Sequence, residues 1–293
     1  MRADEGWVET LTIEESDEIV AAVAHLTRTG VGIGELTRRN FDIPFLATRV
    51  ASWSRTLRDG RGFVLVRGMP VESASSHEIE LAFYGLGLHL GTPVKQNNDG
   101  DLLGHVRDTG DDPNDPAVRR YKTRVAQPFH TDGSDCVGLL CMKPAAIGGE
   151  STIVSSWSVY NAMLERRPDL APLWFEPFSL DLYEQQAPGE KGWFDASIGN
   201  VVGDQLFTFY LRFYITQAQR HSQVQRLSDT RVEFLDLLDA LCDELRLDMD
   251  FLPGDIQWLA NSSIFHGRTE YEDFADPTQK RHLLRLWLSD TNH

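Results

Sequence analysis

The sequence contains few of the residues that a disulfide-bonded or zinc-clustered scaffold needs. Only three cysteines occur among its 293 residues, at Cys136, Cys141 and Cys242, and none of them forms a Cys-x-x-Cys pair. An odd and widely spaced set indicates neither a disulfide framework nor a zinc ribbon. We therefore expect buried, reduced thiols.

Long apolar runs and an excess of positive charge are also missing. No apolar stretch approaches the ~20 residues of a membrane-spanning helix, and the acidic residues of Met1–Glu9 do not resemble the basic start of a secretory signal. With 28 Lys and Arg against 44 Asp and Glu, the net charge of -16 disfavours nucleic-acid and membrane partners. These features predict a cytoplasmic protein and leave open whether it forms a homo-oligomer.

The length and the 41% hydrophobic content allow one sizeable core, so we expect a single domain over residues 1–293. Apolar residues at helical spacing predict four helices, at 14–28, 44–57, 78–90 and 229–246. Thr230 and Glu233 have the spacing of a capping box for the last of these helices. Residues 1–60 would then be a helical support for a mainly β remainder.

Several segments have the composition of strands. Buried strands are predicted at 62–70 and 137–142, and an aromatic strand at 207–214. A hairpin is predicted within 92–108, with Asp99-Gly100 as its turn.

Two histidines and one aspartate are candidates for a metal site. His130 and Asp132 stand two residues apart where a predicted strand gives way to a turn, so both side chains can point at one place. A later strand, predicted to carry both Asn261 and His266, supplies the third group. Two histidines and a carboxylate form the facial triad of non-haem iron(II) oxygenases, which leaves metal positions open. The alternative is a His and an Asp that hydrogen-bond in an ordinary turn.

A pair of arginines follows in an apolar segment near the end of the chain. Residues four apart in a strand share a face, so Arg281 and Arg285 are expected to project together. Inward guanidinium groups need anionic partners, and a forked clamp on a carboxylate suits them. Pairing with structural acidic residues is the alternative.

These motifs resemble the taurine dioxygenase (TauD/TfdA) family of iron(II)- and 2-oxoglutarate-dependent oxygenases, which are related to clavaminate synthase. The resemblance extends from about Gly62 to Asp290 and rests on His130-x-Asp132, Gly-Gly-Glu-Ser-Thr at 148–152, Pro-Gly-Asp-Ile-Gln at 253–257, Asn261, His-Gly-Arg-Thr at 266–269 and Arg281-x-x-x-Arg285. It implies a mainly β fold with flanking helices and a double-stranded β-helix (jelly-roll) core over 62–290. The variable segment within about 157–225 would be an insertion that covers the active site as a lid.

The resemblance also implies the cofactors. The two histidines and Asp132 would bind Fe(II), which 2-oxoglutarate chelates while one position remains for O2. Arg281 would hold the far carboxylate of 2-oxoglutarate together with a hydroxyl after the Gly-Gly turn. Ser151 takes that role, with Thr152 as the fallback, because neighbouring strand residues face opposite sides. Succinate and CO2 are released, and hydroxylation of an unactivated C–H bond in a small-molecule substrate is the default outcome.

Four side chains are candidates for substrate contact. Arg285 corresponds to the arginine that faces the anionic group of the substrate in the taurine enzyme, and it favours an anionic or amino-acid-like substrate. The spacing between His266 and Arg281 is several residues longer than in that enzyme, which leaves the register open. Arg285 could therefore bind the co-substrate instead. Arg212, in the predicted aromatic strand, could hold a substrate carboxylate or form a structural salt bridge. Arg124 and Gln127 precede the first histidine and are expected near the metal.

The sequence is also compatible with other functions. The same cofactors support desaturation, cyclisation or epimerisation, whereas a halogenase would need a small residue in place of Asp132. A zinc hydrolase could use two histidines and a carboxylate, but it explains neither the paired arginines nor the Gly-Gly turn. An inactive binding protein on this fold is disfavoured by the intact triad.

Overall fold

The computed structural model describes residues 6–97, 99–112, 118–183, 186–187, 189–203 and 205–289, so both ends of the expected domain lie outside these ranges. The α-helices, numbered in chain order, are Ile13–Thr29 (α1), Ala47–Asp59 (α2), Ser76–Leu88 (α3), Ser156–Arg166 (α4), Arg212–Ala218 (α5) and Asp229–Leu245 (α6). The helices predicted at 14–28, 44–57, 78–90 and 229–246 are confirmed, with no end shifted by more than three residues.

The strands, also numbered in chain order, are Val8–Thr10 (β1), Phe63–Arg67 (β2), Thr92–Pro93 (β3), Leu103–Val106 (β4), Gln127–His130 (β5), Cys136–Lys143 (β6), Ile147–Gly148 (β7), Ser151–Ser155 (β8), Pro177–Asp181 (β9), Trp193–Ser197 (β10), Gly199–Val202 (β11), Gln205–Thr208 (β12), Leu247–Met249 (β13), Ile256–Ala260 (β14), Ile264–Arg268 (β15), Tyr271–Glu272 (β16) and His282–Ser289 (β17). The predicted strands at 62–70 and 137–142 are confirmed by β2 and β6.

Two of the sheets form the jelly-roll core. The larger has the order β1-β2-β14-β6-β17-β3, with β4 also paired to β17, and the smaller has the order β13-β8-β15-β5. Alternate residues of each sheet point inward, and an apolar cluster that includes Val137 and Leu259 of the larger sheet and Ile153 and Ile264 of the smaller fills part of the space between them. The mainly β class with flanking helices and a jelly-roll core is confirmed.

Helices cover the outer faces of both sheets. Trp53 of α2 and Phe83 of α3 pack in one core cluster with Trp258 of β14, and the rings of Phe83 and Trp258 stack at 5.4 Å. On the smaller sheet, Phe265 of β15 packs in a second cluster with Leu238 of α6. This helical cover supports the strands from which the inward-facing residues project.

The predicted hairpin and the predicted helix cap are both wrong. The turn at Asp99-Gly100 is present, but β3 and β4 do not pair with each other; both pair with β17, end to end along its edge. Strands β3 and β4 are therefore two parts of one interrupted edge strand and not the two arms of a hairpin. Helix α6 is capped by Ser228, whose hydroxyl accepts from Arg231 N–H, and Glu233 instead forms an ion pair with Arg167.

Two strand predictions are also wrong. The aromatic segment leaves strand β12 after Thr208, because the main chain of Tyr210 turns to exchange hydrogen bonds with Thr131. Arg212 then begins helix α5. A turn between β14 and β15 contains Asn261, so that Asn261 and His266 do not share a strand.

Cys141 and Cys242 are buried free thiols, as predicted, whereas Cys136 is half-buried. None of the helices in the described ranges combines the length and the apolar character that crossing a membrane requires.

Candidate active site

The side chains of His130 and Asp132, which are close in the sequence, meet that of the distant His266 between the two sheets. His130 ends β5, Asp132 lies in the following turn, and His266 lies on β15 opposite His130 in the antiparallel pair. One ligand atom from each residue lies within 4.8 Å of the other two. Two imidazoles and one carboxylate could hold Fe(II) and leave other coordination positions open.

Asp132 is fixed through its main chain and its side chain. Asn261 Oδ1 accepts from the Asp132 N–H at 2.8 Å, and Asn261 Nδ2 donates to the carbonyl oxygens of Asp132 and Ser134 at 2.5 and 2.7 Å. Trp287 Nε1–H donates to Asp132 Oδ2 at 2.7 Å, and Arg285 Nη1 lies 3.7 Å from the same oxygen. The carboxylate is therefore oriented before any metal binds.

The surroundings favour the protonation states that a metal needs. His130 Nδ1–H donates to the carbonyl of Pro128 at 2.9 Å, which leaves a lone pair on Nε2. Burial and the nearby His266 lower the pKa of His130 to about 4. Burial by itself raises the pKa of Asp132, but the Arg285 guanidinium and the two imidazoles together hold it well below its usual range. His130 is therefore neutral and Asp132 ionised at neutral pH.

A small cavity of about 40 Å³ adjoins the triad between the sheets, and its lining includes His266, Ser151 and Arg281. The Ser151 hydroxyl donates to Gln257 Oε1 at 3.1 Å. Thr152 does not line the cavity; its hydroxyl lies against Gly267 on the neighbouring strand. Strand alternation therefore brings Ser151, and not Thr152, to the cavity that contains Arg281.

Arg281 is buried beside this cavity and forms no ion pair with a described residue. Its Nη1 has no hydrogen-bond partner among those residues, and its guanidinium lies 5.0 Å from the centre of the Tyr271 ring. Arg268 lies over the same ring at 4.8 Å, and burial together with Arg281 lowers the pKa of Arg268 to about 10. Gly149 has φ 78°, and a Cβ there would lie 3.0 Å from Arg281 Nε, which explains the glycine. Buried guanidinium groups with so little opposite charge mark a site for an anion.

A larger cavity of about 360 Å³ meets the small one at His130, Asp132 and Arg285. Segment 157–225 contributes aromatic side chains to its wall, including Phe213 and Tyr214. Among the described residues, Asp132 is the only Asp or Glu in its lining. Five arginines line it: Arg119, Arg120, Arg212, Arg220 and Arg285.

The other three candidates for substrate contact differ in whether they line a cavity. Gln127 lines both cavities, and its Nε2 lies 2.9 Å from His130 Nε2. Arg212 lines the large cavity, but two carboxylates of α6 lie 2.7 and 3.5 Å from its guanidinium, which favours the salt-bridge alternative. Arg124 is exposed, with its Nε 3.1 Å from Asp108, and it lines neither cavity. The expectation that Arg124 lies near the metal is not supported.

Several residues that contact the site are not predicted by the sequence motifs. The position of Trp287 could have indicated its role, because it lies two residues after Arg285 and therefore on the same face of β17. Gln96 accepts from Arg285 Nε at 2.8 Å across 189 residues of sequence, and no local pattern indicates that contact. Arg119 and Arg120 lie in a stretch of sequence without apolar periodicity, at the start of a 3-10 helix over Arg120–Lys122.

Comparison with known proteins identifies relatives across nearly the whole chain. The family model for the taurine catabolism dioxygenase TauD, TfdA family matches residues 22–287. FR-33289 synthase of Streptomyces rubellomurinus is 29% identical over 297 residues, which covers 98% of this chain and 86% of that protein. The taurine hydroxylase-like protein SAT17 of Stachybotrys chartarum is 27% identical over 296 residues, which covers 98% and 76%.

Solved structures with the same fold include iron oxygenases. Asparagine oxygenase in complex with Fe(II), 3-hydroxyasparagine and succinate has a TM-score of 0.77 at 17% identity, over 97% of this chain and 94% of that one. The non-haem iron oxygenase OrfP in complex with Fe and alpha-ketoglutaric acid has a TM-score of 0.70 at 18% identity, over 96% and 93%. The family match over most of the sequence shows that the chain belongs to the taurine catabolism dioxygenase TauD/TfdA family, and it is therefore a non-haem iron, 2-oxoglutarate-dependent oxygenase.

Proposed function

We propose that the protein hydroxylates an unactivated C–H bond of a small anionic substrate, with His130, Asp132 and His266 as the ligands of Fe(II). When bound, Fe(II) and 2-oxoglutarate supply the activation of O2, with release of succinate and CO2. The observation that carries the proposal is the charge around the triad. Seven arginines line the two cavities, and Asp132 is the only carboxylate in the lining among the described residues. Arg212 and Arg220 are paired with carboxylates outside the lining, so five of the seven remain to face a ligand or the metal site.

The residues around the triad support its role as a metal site. The Pro128 carbonyl fixes the His130 tautomer, and Trp287 and Asn261 orient Asp132. Supporting contacts of this kind position ligands and adjust their basicity. The chain thus holds a neutral imidazole and an ionised carboxylate ready for a divalent cation.

Arg281 and Ser151 are assigned to the far carboxylate of 2-oxoglutarate. A dianionic acid would give the buried Arg281 Nη1 the partner that it lacks among the described residues, and charge-assisted hydrogen bonds to a guanidinium are among the stronger ones in proteins. Ser151 lines the same cavity and can turn its hydroxyl from Gln257 toward the co-substrate. These two residues would fix the orientation of the co-substrate before O2 arrives.

The large cavity is assigned to the prime substrate. Its volume of about 360 Å³ is that of a small-molecule site, and its aromatic wall and arginines suit a compact acid. The asparagine oxygenase structure holds hydroxyasparagine, and a structure of an OrfP mutant holds (3S)-hydroxy-L-Arg, so amino acids are a natural starting class for the substrate. Segment 157–225 would act as the lid that selects among them.

The test is 2-oxoglutarate turnover with a panel of amino acids and small carboxylic, sulfonic and phosphonic acids. Succinate and product mass are measured with Fe(II) and compared with Zn(II). We expect an anionic compound to stimulate succinate formation and to gain one oxygen atom. A product that lacks two hydrogen atoms would indicate desaturation or cyclisation, and an inverted centre without a mass change would indicate epimerisation.

Two controls make the result specific. Arg124→Gln, which removes a charge outside both cavities, should retain turnover. His266→Ala should abolish it. Hydrolysis with Zn(II) that does not need 2-oxoglutarate would contradict the proposal, as would the absence of 2-oxoglutarate consumption under every condition.

A further inference from the structure

Two of the five arginines that line the large cavity carry a charge that no described residue compensates. Arg212 pairs with two carboxylates of α6, Arg220 pairs with a buried carboxylate at 2.7 Å, and Arg285 faces the carboxylate of the triad. Arg119 and Arg120 form no ion pair within the described ranges. Within these ranges, the guanidinium groups donate to main-chain carbonyl oxygens, Arg119 at 3.5 Å and Arg120 at 3.1 Å. In a chain of net charge -16, two such guanidinium groups in a cavity require an explanation.

A series of ring contacts connects Arg120 with a hydroxyl in the same cavity. The Arg120 guanidinium lies 5.1 Å from the centre of the Phe213 ring. Phe213 stacks on Tyr183 at 5.7 Å, and Tyr183 meets Tyr214 edge-on at 4.7 Å. All four side chains line the cavity. The rings therefore fix the position of the guanidinium relative to the Tyr183 hydroxyl.

Tyr183 has an unusual backbone conformation and a hydroxyl that the described residues leave without a hydrogen-bond partner. Its φ of 49° is the only positive value at a non-glycine position in the described part of the chain, and this region is costly for a bulky residue. The Tyr183 N–H donates to Asp181 Oδ1 at 2.6 Å, and Arg220 holds that carboxylate. The buried Tyr183 hydroxyl forms no hydrogen bond with a described residue. Strain that the surrounding structure maintains is typical of ligand sites.

We infer that Arg119, Arg120 and Tyr183 form a second anion-binding subsite, which holds an oxyanion group of the prime substrate. This inference rests on the proposed function, because the ligand is the substrate of that reaction. Two forked guanidinium groups and a hydroxyl can donate to the oxygens of a carboxylate, sulfonate or phosphonate. These three residues line only the large cavity, whereas Arg285 lines both. The anionic end of the substrate would therefore lie outside the co-substrate cavity, and Arg285 would serve groups that bind next to the metal.

The test compares four probes of similar length that differ at one end. These are 4-aminobutanoate, 3-aminopropanesulfonate, 3-aminopropylphosphonate and 4-aminobutanamide, all of which keep the ammonium group, whereas only the amide lacks an anionic end. Their binding to the anaerobic protein loaded with Fe(II) and 2-oxoglutarate is measured by isothermal titration calorimetry. We expect at least one anionic probe to bind at least about tenfold more tightly than the amide, since a hydrogen bond to a charged group is worth more than one tenfold step. The strongest of the three identifies the anion class.

Substitutions locate the preference in the protein. The double variant Arg119→Gln/Arg120→Gln should lose the preference for the anion, and Tyr183→Phe should weaken anion binding by about three- to tenfold. Arg124→Gln removes one charge from the same stretch of chain outside the cavity, so it should behave as the wild type. Replacing both arginines with lysine retains the charge and should retain part of the preference, which separates loss of charge from misfolding.

Two results would overturn the inference. One is a wild-type protein that binds no anionic probe more tightly than the amide. The other is a folded double glutamine variant that keeps the preference. Failure of the proposed function would appear separately, as the absence of Fe(II) and 2-oxoglutarate binding before any probe is added.

Discussion

Replacing Trp287 with phenylalanine should weaken metal binding while leaving the fold intact. The indole N–H donates to Asp132 Oδ2 at 2.7 Å, and the ring also supports the Arg285 guanidinium at 4.5 Å. Phenylalanine keeps an aromatic ring for that contact but removes the donor. The carboxylate then keeps Arg285 Nη1 at 3.7 Å as its nearest cation, and it can rotate away from the orientation that faces the two imidazoles.

The size of the effect follows from the lost bond. A hydrogen bond to a charged group contributes about 1.5–3 kcal/mol, and loss of a contact that supports a metal ligand typically costs about 10–100-fold in metal affinity. The two ranges agree, since tenfold corresponds to about 1.4 kcal/mol. We therefore expect Trp287→Phe to bind Fe(II) about 10–100-fold more weakly in an anaerobic competition titration against a coloured chelator.

A matched control is available in the same sheet. Trp258 is buried in the core, and its indole N–H has no partner among the described residues. Trp258→Phe should lower the melting temperature through lost packing while leaving the Fe(II) affinity unchanged. The reasoning would be refuted by a Trp287→Phe protein whose Fe(II) affinity lies within about twofold of the wild-type value.

Three further predictions concern the co-substrate and pH. Arg281→Lys should raise the dissociation constant for 2-oxoglutarate at least about tenfold, because an ammonium cannot reproduce the fork; unchanged binding by calorimetry would contradict this. Ser151→Ala should weaken 2-oxoglutarate binding about three- to tenfold while Thr152→Val does not, and the reverse order would disprove the alternation argument. Burial, a neighbouring imidazole and nearby cations lower the pKa of His282 to about 4, so the unfolded state binds the proton more readily. The free energy of unfolding should therefore fall as the pH drops from about 6.5 to about 4. His282→Gln should reduce this loss by about 1–2 kcal/mol, which is less than the full pKa difference would give because the ring is partly exposed to solvent. Denaturant unfolding of the apo-protein at several pH values measures the slope, and an equal slope in the wild type and His282→Gln would contradict the prediction.

Features that depend on strand alternation could be predicted from the sequence. Arg281 and Arg285 both reach the small cavity because alternate residues of an extended segment share a face, even though the pairing of β17 shifts register near His282. Alternation also separates Ser151 from Thr152. The meeting of the triad followed from motif and resemblance together, because no local pattern pairs β5 with β15.

Features set by long-range contacts could not be predicted. The alternating aromatic residues before Arg212 suit a strand, but the main chain of Tyr210 instead bonds to Thr131, and a helix begins two residues later. Thr230 and Glu233 have capping-box spacing, yet the helix begins earlier, and Glu233 pairs with a distant arginine. Such contacts override local propensity because they form between segments that are remote in sequence. The arginines of the large cavity could not be predicted for the same reason, because segments that are remote in sequence bring them together.

The central claim is that His130, Asp132 and His266 bind Fe(II) and that the adjoining cavity receives 2-oxoglutarate. Its most direct test is an anaerobic titration of the apo-protein with both, followed through the visible charge-transfer band of the chelate. The wild type and Arg124→Gln should develop the band, and His266→Ala should not. A wild-type protein that gives no band, or a His266→Ala protein that gives the full band, would contradict the account.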